Sequence, residues 1–136
     1  MVDLRRVSDI ISTFLAPIVV WSGLGYGGPT GTGGVVTQAA NKATAVTLNK
    51  MTGQITLNAA SLNSVTPVTF VLNNSFIAAN DIIICNHFSA GTVGPYRITA
   101  QPTGAGTANI TVSQDSGGAL AEAIVVQFFI FKLVIV

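Results

Sequence analysis

Apolar and polar residues alternate along most of the chain from Val35 onward. Apolar side chains take every second position, and the residues between them are Thr, Asn, Gln, Ser or Arg except at Val71, in these runs: Val46 and Leu48; Ile55 and Leu57; Val68, Phe70 and Leu72; Tyr96, Ile98 and Ala100; Ala108, Ile110 and Val112. A period of two predicts strands with one buried face. With Val35 to Thr37, Ile82 to Asn86 and the C-terminal run, the pattern predicts about eight strands.

Turn-forming residues separate these runs, and no helical pattern intervenes. They cluster at Asn49 to Gly53, Asn58 to Pro67, Asn73 to Asp81, Ser89 to Pro95, Pro102 to Gly106 and Asp115 to Gly118. Short strands without intervening helices favour an antiparallel β-sandwich. Eight strands predict an all-β, jelly-roll-like sandwich.

The chain ends in the run QFFIFKLVIV, which is apolar on both faces when drawn as a strand. Residues 125, 127, 129, 131, 133 and 135 share one face, and the even-numbered residues from 124 share the other. One face can fill the core, and the pattern leaves open which one. We expect the other face to meet sister subunits, and the predicted interface comprises Phe128, Phe129, Ile130, Phe131, Leu133 and Ile135.

The segment before the alternating region differs from it. Residues 1–22 are predicted to form an anchoring arm, residues 23–34 a glycine-rich linker, and residues 35–136 the sandwich. Apolar residues at helix-like spacing give the arm its predicted contact face: Leu4, Val7, Ile11, Phe14, Ile18 and Trp21. Pro17 would interrupt a helix there. The apolar run is too short and too interrupted to span a membrane. It is not followed by a cleavage site, so the sequence does not predict a signal peptide.

The linker contains a formal G-x-G-x-x-G at Gly23, Gly25 and Gly28. Dinucleotide binding would need a helix to begin at the third glycine and an acidic residue about twenty positions later. Pro29 follows instead, and no acid stands at the later position. The sequence therefore predicts no bound cofactor.

Charged residues make up 8% of the chain and the net charge is +1. The electrostatic field of so few charges would be too weak to attract nucleic acid to the protein. Sparse charge also removes the electrostatic repulsion that keeps monomers apart, so the composition favours a subunit of a larger assembly. A single cysteine excludes an internal disulfide framework.

Candidate chemistry is sparse in the β region. Cys85 and His87 stand two apart and could form a thiolate–imidazole pair. Cys85 also ends the apolar run from Ile82, where a free cysteine more often packs as a small hydrophobe. One Cys and one His are half a zinc shell at most. The sequence therefore predicts no catalytic or metal site and no enzyme.

Three stretches resemble a small β domain of tailed-bacteriophage structural proteins. They are VVTQAANKATAVTLNKMTGQITLNAASL, VTFVLNNSFIAANDIII and LAEAIVVQFFIFK, which together span roughly Val35 to Lys132. The resemblance implies a virion component that forms a homotrimer. It carries over no catalytic residue, and it does not extend to the arm.

Two functions fit that resemblance. The first is a capsid decoration (cement) protein on the capsid exterior, bound through its arm to the major capsid protein or another virion protein. The second is a tail-fibre, appendage or receptor-binding module. The chain has neither long repeats nor heptads to build a shaft, which favours decoration. Two further alternatives are bilayer insertion by the arm during entry and a small lectin-like binder.

Overall fold

Residues 33 to 133, which the computed structural model describes, form eight strands and no helix. The strands are β1 (Val35–Thr37), β2 (Val46–Thr47), β3 (Thr52–Thr56), β4 (Val68–Asn73), β5 (Ile82–Ser89), β6 (Tyr96–Gly104), β7 (Thr107–Gln114) and β8 (Val125–Phe131). The predicted arm residues Leu4, Val7, Ile11, Phe14, Ile18 and Trp21 lie outside the described residues, as does Ile135.

The strands form two four-stranded sheets. The first sheet has the order β1-β3-β8-β5 and the second has the order β2-β4-β7-β6. Successive strands from β1 to β6 alternate between the sheets, so crossing loops join them, and only β6 and β7 form a hairpin within one sheet. The prediction of an all-β, eight-stranded sandwich is confirmed.

Not every strand pair is antiparallel. β1 pairs with β3 and β2 pairs with β4 in parallel, whereas the other four pairings are antiparallel. The cause lies in the chain path, because each strand runs opposite to the strand before it. Strands two apart in sequence therefore run in the same direction when they become neighbours, and the expectation of a wholly antiparallel sheet is corrected at β1 and β2.

The core lies between the sheets and is built from the inward half of each alternating strand. In the second sheet, Phe70, Leu72, Ile110 and Val112 are almost fully buried, as the period of two predicts. In the first sheet, the inward side chains of β8 are Val126, Phe128 and Ile130, and Ile124 continues their row. The even-numbered face of the C-terminal strand is therefore the core face.

Two strands, β3 and β6, extend two or more residues into predicted turns. β6 continues through Pro102 to Gly104, with a register shift between them. Proline is tolerated there because β6 is an edge strand and the proline lies at the irregularity. β3 already includes Gly53, which is buried where the Leu48 and Phe128 side chains leave no room for a Cβ.

The strand directions define two ends of the sandwich. The terminal end is where β1 begins and β8 finishes, and it also carries the connections 48–51, 74–81 and 105–106. The loop end carries the connections 38–45, 57–67, 90–95 and 115–124. The start of β1 and the finish of β8 thus lie at one and the same end of the sandwich.

Candidate interaction surface

An apolar patch occupies the outward side of the first sheet. We call it the apolar face and define it by Ile82 and Ile84 of β5 with Phe129 and Phe131 of β8. The strand register sets Ile82 beside Phe131 and Ile84 beside Phe129. Ile82, Ile84 and Phe131 are 49%, 55% and 45% exposed, and Phe129 is half-buried. Adjacent large apolar side chains in this state form a continuous patch, not isolated exposed residues.

The apolar face follows from the composition of its strands. β5 reads IIICNHFS and β8 reads VVQFFIF, so each strand carries apolar residues at both inward and outward positions. The inward set fills the core, and the outward set is then left on the surface. Phe129 and Phe131 also lie against each other, with ring centroids 6.4 Å apart. Phe88, further along β5, is exposed on the same side of the strand.

The predicted subunit-interface residues divide between the two sides of β8. Phe128 and Ile130 are buried in the core of the single chain and are not available to a partner, which corrects that part of the prediction. Phe129, Phe131 and Leu133 face outward. The outward position of Ile82 and Ile84 was not predicted, because an uninterrupted run of isoleucines indicates burial on both sides of the strand.

Charge is absent from this sheet. None of the four strands of the first sheet contains Asp, Glu, Lys or Arg. Beside the apolar face, most outward positions carry amides and hydroxyls, and the exceptions include Val35 of β1 and Val125 of β8. Gln54, Gln127 and Asn86 form one row across β3, β8 and β5. The outer surface of the first sheet is therefore apolar on one half and mainly polar but uncharged on the other.

Cys85 and His87 lie on the inward side of β5. Cys85 packs against the core, and burial raises the pKa of its thiol to about 12. His87 makes an edge-on ring contact with Tyr96, and its Nε2 lies 2.6 Å from the carbonyl oxygen of Ala90. A thiol with so high a pKa stays protonated at neutral pH, so the structure favours the core interpretation of Cys85 over the nucleophile.

Glu122 holds the loop end together. Its carboxylate accepts hydrogen bonds from the Tyr96 hydroxyl at 2.6 Å and from the backbone N–H and hydroxyl of Thr92. The bond from Tyr96, followed by those from Thr92, lowers the pKa of Glu122. Burial, followed by the bond to Glu122, raises the pKa of Tyr96. A carboxylate with three donors is stabilised as a structural anion, and its partners tie loop 90–95 to loop 115–124.

Lys42 is a second structural charge at the loop end. Its ammonium donates to the carbonyl oxygens of Asn58 and Glu122 at 2.5 and 2.6 Å. Burial lowers the pKa of Lys42, and the charge of Glu122 opposes that change. Because Lys42 bonds to two different crossing loops, it fixes their approach and does not point into an open site.

The terminal end is closed by an ion pair between Asp81 and Lys132. The Lys132 ammonium lies 2.6 Å from Asp81 Oδ2 and also donates to the carbonyl oxygen of Phe76. The same Oδ2 accepts the backbone N–H of Ala78. Burial raises the pKa of Asp81, but the bonds from Lys132 and Ala78 outweigh it and hold that pKa below its ordinary value.

Two valines stand out at the opposite, loop end. Val65 and Val93 are 79% and 90% exposed. Val65 also has a φ of 55°, a conformation that β-branched residues rarely adopt. Its backbone N–H donates to the carbonyl oxygen of Gln114, which holds the strained residue in place. The loop end therefore presents small, isolated apolar side chains, unlike the continuous patch on the first sheet.

Comparison with known proteins and with common types of site limits which functions can be assigned to this chain. No protein-family model, curated protein or solved structure matches this chain. Within residues 33 to 133, no helix is long and apolar enough to span a membrane. Across the same part of the chain, no three His, Cys, Asp or Glu side chains are placed to share a metal ion. Residues 33 to 133 thus form a β-sandwich with a continuous exposed apolar patch on the first sheet.

Proposed function

We propose that the protein is a non-enzymatic structural component of a bacteriophage virion. In this proposal it is a homotrimeric decoration protein that binds the capsid exterior partly through its N-terminal arm and stabilises the head lattice. The observation that carries the proposal is the uncharged first sheet with its exposed apolar face. A surface of that kind is suited to burial in a permanent assembly and poorly suited to a freely diffusing monomer.

The position of the chain ends supports the arm as an anchor. β1 begins at the terminal end, and the loop end faces the opposite way. A subunit attached by residues 1–22 would therefore turn its terminal end toward the lattice and its loop end outward. The resemblance of residues 35–132 to phage structural domains supplies the biological setting.

A second candidate is a tail appendage or receptor-binding module. The exposed Val65 and Val93 at the loop end favour it, because strained and exposed loop residues are often found at binding sites. In that case the loop end, not the arm, would carry the function. Binding of the isolated protein to host cells or glycans would distinguish this candidate from a decoration protein.

Capsid binding by full-length variants tests the main proposal. Expanded capsids that lack the protein are mixed with wild type or with an Ile11→Asp, Phe14→Asp variant, and bound protein is measured by co-sedimentation. We expect binding to fall at least about tenfold, because two charges would enter the predicted apolar contact. A Ser12→Asp, Thr13→Asp variant is the matched control and should bind normally.

Two results would contradict this function. Failure of the wild type to bind any expanded capsid would remove the decoration role. Equal binding by all three proteins would remove the arm as anchor while leaving the decoration role in place. Deletion of residues 1 to 20 provides a stronger form of the same test, and circular dichroism checks that the truncated chain still folds.

A further inference from the structure

We infer that the apolar face of the first sheet is the surface through which copies of this chain pack together. The inference deepens the proposed function, on which it rests for the number of copies, by naming where the subunits meet. It retains Phe129 and Phe131 of the interface predicted from the sequence and extends that interface from β8 to β5. Ile82 and Ile84 supply half of that surface and Phe129 and Phe131 the other half.

The apolar face has the position that a rotationally symmetric assembly needs. The apolar residues lie on β8 and on β5, an edge strand of the sheet, while β3 carries Thr52, Gln54 and Thr56 on its outward side. The patch therefore covers one margin of the sheet. Subunits that pack along such a margin can close around an axis, and the other half of each sheet stays in contact with water.

The absence of charge favours another copy of the same surface as the partner. A sheet whose strands contain no Asp, Glu, Lys or Arg offers nothing to attract an acidic or a basic protein. For the same reason, it meets a copy of itself without like-charge repulsion. The neighbouring row of Gln54, Gln127 and Asn86 also suits contact with an identical surface. Each side-chain amide both donates and accepts hydrogen bonds, so it can pair with another amide.

A lipid surface matches the apolar face less well. Peripheral membrane binding generally combines buried apolar residues with Lys or Arg that attract anionic headgroups. The strands of the first sheet supply no such residue, and the nearest described lysine beyond β8, Lys132, is bound to Asp81. The chemistry of the surroundings thus favours protein over lipid.

Light scattering on full-length variants tests the inference. The wild type is compared with an Ile84→Asp, Phe131→Asp variant, which adds two charges to the apolar face. We expect a trimeric wild type and a monomeric variant, with the association constant lowered at least about 100-fold. A Val65→Asp, Val93→Asp variant is the matched control, with the same charge change at the exposed loop end, and should remain trimeric.

Folding is monitored in the same samples. Far-UV circular dichroism of the Ile84→Asp, Phe131→Asp variant should match the wild type, because both side chains are about half exposed in the single chain. If that variant unfolds, an Ile84→Ser, Phe131→Ser variant removes the same apolar side chains without adding charge. We then expect that variant to be folded and monomeric.

The contrary outcomes are distinct from failure of the proposed function. A monomeric wild type, or a charged variant that remains fully associated, would overturn the inference whatever the capsids bind. Binding of a monomeric wild type to phosphatidylcholine vesicles would reassign the apolar face to lipid. A dimer that Ile84→Asp and Phe131→Asp disrupt would support the surface and contradict the trimer, and an associated protein that binds no capsid would contradict only the virion role.

Discussion

The outer surfaces of the two sheets are built from the same alternating backbone, yet they differ sharply in chemistry. The second sheet presents hydroxyls and amides, with Thr69, Thr111 and Thr99 aligned across β4, β7 and β6. The Thr69 and Thr111 hydroxyl oxygens lie 2.7 Å apart and share a hydrogen bond. The first sheet instead presents the apolar face, on β8 and the edge strand β5. A polar outer surface is stable in water, whereas an apolar one is stabilised when it is covered.

This difference shows where we propose that self-association is encoded. In the second sheet, one face of each strand is apolar and the other is polar apart from the half-buried Val71 of β4, so folding of a single chain largely satisfies the pattern. In β5 and β8, both faces are apolar, and folding satisfies only one of them. The surplus apolar residues on two neighbouring strands exceed the requirements of the fold, and we propose that they serve assembly.

The largest expected effect separates the two sides of β8. Phe128→Ser should lower the free energy of unfolding by about 4 kcal/mol, because the ring is buried in the core. Phe129→Ser should lower that of the monomer by about 1 kcal/mol or less, since its ring lies on the outer side. Urea denaturation at a concentration where both proteins are monomeric measures the two values. Equal losses would mean that the inner and outer sides are not distinct.

A smaller effect compares one glycine in each sheet. At Gly53 in β3, an added Cβ would lie 2.5 Å from Leu48 Cδ2 and 2.8 Å from Phe128 Cε1. We expect Gly53→Ala to cost about 2–3 kcal/mol through overpacking. At Gly104 in β6, the nearest atom is Thr107 Oγ1 at 3.9 Å, so Gly104→Ala should be close to neutral. Chemical denaturation of both variants would show whether the first sheet is the more tightly packed.

The smallest effect compares the ion pairs that flank the two sheets. Asp81 is almost fully buried in its pair with the half-exposed Lys132, whereas Arg97 and Asp115 have side chains 73% and 41% exposed. Lys132→Met should cost about 1–2 kcal/mol at pH 7, because a buried carboxylate loses its charged partner. Arg97→Met should cost about 0.5 kcal/mol or less, as surface pairs do. Thermal unfolding measures both.

The pH dependence of the Lys132→Met effect follows from the lowered pKa of Asp81. A carboxyl whose pKa is lower in the folded than in the unfolded state stabilises the fold above its unfolded pKa. That stabilisation is lost as the pH falls through the folded value. The stability gap between wild type and Lys132→Met should therefore narrow below about pH 4. A gap that stays constant down to pH 2 would contradict a charge-based role for the pair.

Much of the fold could be predicted from periodicity. In the second sheet, the run from Ala108 to Val112 alternates cleanly and the run from Val68 to Leu72 does so except at Val71, and the structure buries the predicted residues except Val68, which is partly buried. The parallel pairing of β1 and β2 could not be predicted in this way, because strands of two or three residues carry little pattern and their neighbours depend on the whole chain path.

The candidate surface could be predicted only in part. The sequence indicates that β8 has two apolar faces, but hydrophobicity alone cannot choose between Phe128 and Phe129 for the core. The choice depends on register with β3 and β5, which sets Phe128 opposite Gly53 and Cys85 in the interior. The contribution of β5 was hidden for a related reason, since three consecutive isoleucines predict burial without showing that Ile82 and Ile84 point outward.

The shared exit of both flanking segments has a practical consequence for display engineering. Cargo fused before Val35 or after Phe131 would emerge at the terminal end in either case, beside the ion pair of Asp81 and Lys132. A foreign epitope inserted at Val93 would be carried at the far end of the sandwich, on a loop tip that is 90% exposed. One scaffold could thus be tethered at one end while it presents an antigen at the other.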